Sequence, residues 1–564
     1  MTSSWPQVGR GDRIVGAPFA GRGAVMARSG AAAASQPLAT QVALDVLKSG
    51  GTAMDAAIAA NAVLGVVEPT GAGLGGDLFA IVWDPKTRRL HGYNGSGRSP
   101  RSLDHDTAKA RVQPNGYLPK VGAVSVSTPG AVDGWFALHE RFGRKPVSDL
   151  LAPAIDYARE GFVLTPLIAA YWRTYLRNVL NSGPVEETAN ALATYARDGV
   201  PPRAGEVWRN PDLAATYERL GREGRDGFYL GETARIIGAY MARIGGWLSA
   251  EDLSAHRGEW VELLSTTYRG HEVWQIGGNT QGVAVLQMLN LMEGFDVAAM
   301  GAGSADLTHL MIEAKKIAYA DRARHLSDAR FTPSADLHLI SKAYAAARAD
   351  EIRMDRAGDA YEAGAPPARA DTVYLTTADR DGMMVSLIQS NYFLMGSGLV
   401  PDGLGFMLQN RGAMFSFERG HANLYAPGKR PMHTIIPGFV TRGGEPWLSF
   451  GVMGGAMQAQ GQVQVLSNLI DFDMGVQEAG DAARWQHYGS GTADDPALPV
   501  DGEVTLETGF DPAVVQALRA RGHRIAPSRA LSGYGGYQAI LRDPSTQAWH
   551  AASEMRFDGM AGGY

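Results

Sequence analysis

Two periods of apolar residues take turns along this chain. Near the start the spacing is helical. Leu38, Val42, Ala43 and Leu47 fall on one face and predict a helix over 38–49, stopped by Gly50 and Gly51. Residues 53–67 are apolar nearly all round, so this second helix must be buried on most sides. Alternation then takes over. Residues 78–83 and 89–93 predict a hairpin around Asp84, Pro85, Lys86 and Thr87, and 124–128 a short strand before a helix through Trp135 and Leu138. From about 147 to 350 helical spacing dominates, as at 150–158, 283–292 and 307–324. The charges of the last stretch, from Glu313 to Arg322, read as a solvated face with i,i+4 pairs.

Residues 351–371 form a loose linker rich in Ala, Gly and Pro. After it the pattern turns to β. Residues 373–378, 384–389, 406–408, 447–450, 538–541 and 549–552 read as strands, interrupted by helices near 463–470 and 511–520. A sheet shared by residues 1–130 and 372–564, with helices packed outside, would bury all the apolar faces.

Composition narrows the functions. The chain has 564 residues and a net charge of −6 without a long basic run, which argues against nucleic acid as a partner. It has no cysteine, so disulfides, thiolate nucleophiles and Cys-bound zinc are excluded. No apolar run is long enough to span a membrane, and no signal peptide is read at the N-terminus, so a cytoplasmic protein is expected. Gly71, Gly73 and Gly76 have the spacing of a dinucleotide fingerprint, but a helix precedes them and a strand follows. Phosphate binding needs the reverse order, so a tight helix-to-strand turn is the better reading. The motifs of nucleophile-elbow serine hydrolases, zincins and P-loops are missing, and the 13 histidines lack metal-ligand spacing.

What remains is Asp371-Thr372, where the linker meets a strand. A cut before Thr372 would give it an α-amino group titrating at about 7.7–8.0, able to activate the adjacent hydroxyl. Ser390 ends the returning strand and could reach that hydroxyl. Gly454 and Gly455 follow a strand; they are either a plain tight turn or a pair of amides aimed at a developing oxyanion. Asn410 and Arg411 could line a pocket. Arg98 sits among glycines at a strand end, where it could fork onto an anion, although a surface arginine in a turn is the commoner case.

From about residue 24 onward the sequence resembles the γ-glutamyltransferase family of N-terminal nucleophile hydrolases. The resemblance is carried by Ala53-Met54-Asp55-Ala56-Ala57, Gly73-Leu74-Gly75-Gly76-Asp77, Thr128-Pro129-Gly130, Ala320-Asp321-Arg322, Asp371-Thr372, Gly428-Lys429-Arg430-Pro431 and Met453-Gly454-Gly455. It implies an α+β fold, a four-layer αββα sandwich, shared by two chains cut from one precursor. These would be a large subunit, 1–371, and a small subunit, 372–564, leaving an (αβ)2 assembly open. It implies Thr372 as nucleophile and base, Ser390 as second hydroxyl, Gly454 and Gly455 as oxyanion hole, and Arg98 on the substrate carboxylate. No metal or organic cofactor is implied.

Departures from the family pattern bear on the substrate. Where the family grips an α-ammonium, this chain has Tyr392, Arg411 and Met414, and its Ser-Ser pair is His433-Thr434. The stretch 417–427 is short, which implies that a lid is missing. The pattern is similar to the acylase and amidohydrolase branch. An amidohydrolase acting on a small amide with an anionic acyl group is therefore expected. The alternatives are a glutathione hydrolase or γ-glutamyltransferase proper and, from another class, an uncleaved binding protein.

Overall fold

Tyr374, Thr376 and Ala378 alternate with Val373, Leu375 and Thr377, and the alternation places the two sets on opposite faces of one strand, Asp371–Ala378. Both faces are buried, which is why the strand reads as a nearly unbroken apolar and threonine run. A computed structural model describes residues 20–358, 361, 371–489, 502–528 and 533–564. In it this strand is third in a seven-stranded antiparallel sheet, ordered Met560–Gly563, Ala31–Ala34, Asp371–Ala378, Met384–Tyr392, Asp77–Asp84, Arg89–Asn94, Glu259–Val261. A second seven-stranded sheet runs Val25–Ala27, Trp549–Ser553, Tyr537–Arg542, Glu445–Val452, Gly438–Arg442, His271–Ile276, Leu263–Tyr268.

The sheets pack face to face. Phe79, Tyr374 and Ile388 from one meet Phe439, Ile540 and Ala551 from the other in one apolar cluster. Thr376 and Ser449 hydroxyls join across the gap at 2.7 Å. Outside the first sheet lie the helices Pro37–Lys48 and Ala53–Val67 and those between residues 131 and 243. Outside the second lie Gly282–Glu293, Ala305–His325 and Met457–Ile470. The result is the four-layer αββα sandwich. The Ala-rich helix Ala53–Val67 is buried at every position, and its small side chains let neighbours approach closely. A capping box of Thr52 and Asp55 starts it, a device worth about 1 kcal/mol.

Several expectations need correction. Strands Glu259–Val261, Leu263–Tyr268 and His271–Ile276 lie in the stretch read as helical, and they complete one edge of each sheet. Residues 124–128 are no strand: Ala123–Ser125 is a 3-10 turn, and Thr128 donates to the Arg98 carbonyl instead of a ladder. Residues 406–408 also form no strand; Leu408 bonds back to Leu399 and Ser397. The charges from Glu313 to Arg322 in helix Ala305–His325 are not solvated, because Glu313, Lys315, Lys316, Asp321 and Arg322 are all buried. The glycine turn at 71–76 joins helix to strand as expected. Its glycines are places of close approach: a Cβ on Gly75 would lie 2.1 Å from the Met407 oxygen, and one on Gly76 2.6 Å from that of Ser390.

Candidate active site

Thr372 is fully buried on the face turned toward the second sheet. The pairing of its strand with Met384–Tyr392 is irregular here. Asp371 faces Tyr392 and Val373 faces Gln389, so Ser390 and Asn391 together oppose Thr372. A bulge of this kind re-aims side chains at a sheet's end. It brings Ser390 to the threonine and forces Tyr392 into a positive φ of 83°. The Ser390 hydroxyl accepts from the Tyr392 amide at 2.8 Å, which fixes its position. Gly71 closes the other side, where a Cβ would lie 3.1 Å from the Thr372 carbonyl carbon.

Gly454 and Gly455 occupy the turn between strand Glu445–Val452 and helix Met457–Ile470, with φ of 119° and 57° that suit glycine. Among the described residues neither amide donates a hydrogen bond. The first turn of the helix carries Gln458, whose Nε2 donates to Thr372 Oγ1 at 3.3 Å while its Oε1 accepts from the Ile436 amide. The glycine turn therefore lies beside the threonine hydroxyl. Gln281 Nε2 donates to the carbonyls of Thr434 and Gly455 and so ties that turn to the segment carrying His433 and Thr434.

That segment meets Arg411. The Arg411 guanidinium is fully buried, stacks at 4.3 Å over the Tyr392 ring and donates through Nη1 to Thr434 Oγ1 at 3.1 Å. Its Nε and Nη2 meet no acceptor among the described residues. Burial lowers its pKa to about 10, so it stays cationic at neutral pH. His433 is equally buried, with Nε2 3.1 Å from Asp77 Oδ2. Burial, reinforced by the Arg411 charge, pushes His433 down to about 4, so the ring is neutral. Neither ring nitrogen makes a hydrogen bond among the described residues. The other Asp77 oxygen accepts from the Gly97 amide and from Gln409.

Several of the expected site residues thus converge: Ser390, Tyr392, Arg411 and Thr434 are joined by contacts, His433 adjoins Thr434, and Ser390 lies across the strand pair from Thr372. Asn410 is adjacent but committed. Its amide bridges Lys120, Phe393 and Gly396, so it holds the turn after Tyr392. Arg98, expected on the substrate carboxylate, spends its fork on Glu259 at 2.7 Å and on the Arg257 carbonyl at 3.1 Å. Its Nε meets no acceptor among the described residues, and its carbonyl accepts from Thr128, whose own carbonyl accepts from Gln409. Sequence reading missed Gln458 and Gln281, since a glutamine in an apolar helix carries no chemical signal. It also missed the role of Asp77, which lay in plain view within Gly73-Leu74-Gly75-Gly76-Asp77.

Comparison with known proteins identifies the family. The gamma-glutamyltranspeptidase family profile matches residues 39–564. The glutathione hydrolase-like YwrD proenzyme of Bacillus subtilis (strain 168) is 34% identical over 527 residues, 93% of this chain and 97% of that one. The acylase ACY 1 proenzyme of Pseudomonas sp. (strain SE83) is 34% identical over 538 residues, 93% and 92% of the two chains. The crystal structure of cephalosporin acylase from Bacillus halodurans superposes with a TM-score of 0.89 at 41% identity, covering 96% of this chain and 97% of that one. The chain belongs to the gamma-glutamyltranspeptidase family of self-processing N-terminal nucleophile hydrolases.

Proposed function

We propose that the chain cuts itself before Thr372 and then hydrolyses amides whose acyl group carries a carboxylate. The observation that carries the substrate reading is Arg411. A buried guanidinium with two unmet donors is costly unless a ligand supplies the acceptor. A planar carboxylate fits that fork, and the Thr434 hydroxyl adds one further contact to it.

In the cut, Thr372 Oγ1 attacks the Asp371 carbonyl carbon and the peptide nitrogen leaves as the new α-amino group. Water then hydrolyses the ester between them. In turnover that amine takes the hydroxyl proton, Oγ1 attacks the substrate amide, and the Gly454 and Gly455 amides stabilise the oxyanion. The proton passes to the departing amine, and water releases the acyl group as a carboxylic acid. Gln458 and Ser390 hold the hydroxyl in line.

Glutaryl amides, oxamate and γ-glutamyl amides offered side by side test this. Higher kcat/KM for acyl groups lacking an α-amino group is expected. A clear preference for γ-glutamyl substrates would overturn the specificity, and an intact full-length chain after long incubation would overturn the mechanism.

A further inference from the structure

Helix Ala305–His325 buries an ion pair that the reaction above does not use. Lys316 Nζ and Glu313 Oε1 lie 2.7 Å apart, both shielded from water. Such a pair is retained at a cost in desolvation, which calls for a reason. Its remaining bonds go to one short segment ahead of the cut. Lys316 Nζ donates to the Gly358 carbonyl at 2.9 Å, and the Gly358 amide donates to Glu313 Oε2 at 3.0 Å. The Tyr361 hydroxyl donates to the same oxygen at 2.8 Å. The pair thus reads both polar groups of a single peptide unit's residue, and a Cβ on Gly358 would lie 2.9 Å from Glu313 Oε2.

Residues beyond residue 372 hold the same segment from the other side. His309 Nε2 meets the Arg353 carbonyl at 2.8 Å, while its Nδ1 meets His523 Nε2 at 2.8 Å. The Ala357 amide donates to the Arg521 carbonyl at 2.7 Å. His309, Glu313 and His523 bring ligand atoms within 4.8 Å of one another. A metal ion is the poorer reading of that group, because both Glu313 oxygens are already taken and the Lys316 ammonium sits beside them.

We infer that Glu313 and Lys316 form a clasp on Gly358 that positions the chain ahead of Asp371 for self-cleavage, and that they are positioning residues for that step alone. The inference rests on the reading that the cut falls before Thr372. Ten residues lie between Tyr361 and Thr372, few enough that fixing the first limits where the scissile bond can lie. After the cut the clasp stays within the large chain, and the Ala357 amide on the Arg521 carbonyl keeps its tail on the small chain.

The test measures processing separately from turnover. N-terminal sequencing of the wild-type small chain first checks the cut itself; a start other than Thr372 removes the underlying reading and leaves the clasp unsupported. Precursor conversion is then followed by denaturing gel for Lys316→Met and for Gly358→Val, which jams the clasp from the segment side without touching the helix. About tenfold slower conversion is expected for each, since misplacing a reacting group by an ångström has effects of this size or larger. The double variant should be no slower than either one, and kcat/KM per processed active site should stay within about twofold of wild type. In a Thr372→Ala background, both changes should speed tryptic cleavage at Arg353 or Arg356. Wild-type conversion rates in Gly358→Val, or an equal loss of turnover by processed enzyme, would overturn the inference.

Discussion

Arg411 shows what a single residue can decide. Its position among glycine, asparagine and apolar neighbours gave a cation near a pocket, and nothing more. The structure adds that two of its donors are unmet and that Tyr392 and Thr434 fix its plane. Arg411→Met should therefore lower kcat/KM for carboxylate-bearing substrates by about 10–100-fold, the value of one charge-assisted hydrogen-bonded contact. Matched neutral acyl amides should change little. Steady-state kinetics on the two substrate sets checks this, and equal losses on both would remove Arg411 from the acyl pocket. Thr372 and Ser390 could be singled out in the sequence because each lies near one end of a strand with clear alternation. Arg98 was placed by resemblance, and its side chain turned out to be engaged by Glu259. No spacing rule reveals which partner a half-buried arginine will choose.

At the scale of elements, the glycine turn at 71–76 acts as a wall behind the site. Gly75 packs against the backbone of Met407 and Leu408, and its carbonyl accepts from the Gln409 amide at 3.0 Å. Gln409 in turn holds Asp77, which lies 3.1 Å from His433. Backbone atoms cannot swing aside as a side chain can. Gly75→Ala is expected to cost about 1–3 kcal/mol in urea unfolding, the usual range for overpacking, and to lower kcat as well. An unchanged urea midpoint would show that the 405–409 segment can yield. The hairpin and most helices were visible in the sequence because long periodic stretches carry their own signal. The bulge at Ser390 and Asn391 was not, since register depends on the partner strand. Helix Ala305–His325 misled for a related reason. Periodicity separates charged from apolar faces, but it does not distinguish a charge in water from one buried against a partner.

The whole molecule is held by strands from both sides of residue 372. Each sheet interleaves earlier and later segments, so a cut there severs only the first residue of strand Asp371–Ala378 and leaves the other strands whole. The same burial has a pH consequence. His256 is enclosed, stacked on Tyr229, and pushed down to about 4 by burial. In the unfolded chain it titrates near 6.5, so between about 6.5 and 4 the unfolded state binds the extra proton. Its contribution to stability is complete above that window and is lost as pH falls through it. His256→Phe should therefore remove up to one proton from the uptake on unfolding in this range. Urea midpoints measured at pH 7 and pH 5 should lie closer together in the variant than in wild type, and parallel shifts would show that His256 is not the titrating group. Both sheets were anticipated in outline, but the strands between residues 259 and 276 were not. They are short, half polar and set in a helical stretch, and only their partners make them strands.

The contact between Gln458 and Thr372 spans 86 residues of sequence. During synthesis the threonine leaves the ribosome well before its glutamine and the glycine turn beside it exist. At usual elongation rates that gap lasts roughly 4–17 seconds. If Thr372 is the nucleophile proposed above, a nascent chain should stay whole throughout this interval, its hydroxyl present but undirected, so the enzyme carries a built-in delay between making that residue and arming it.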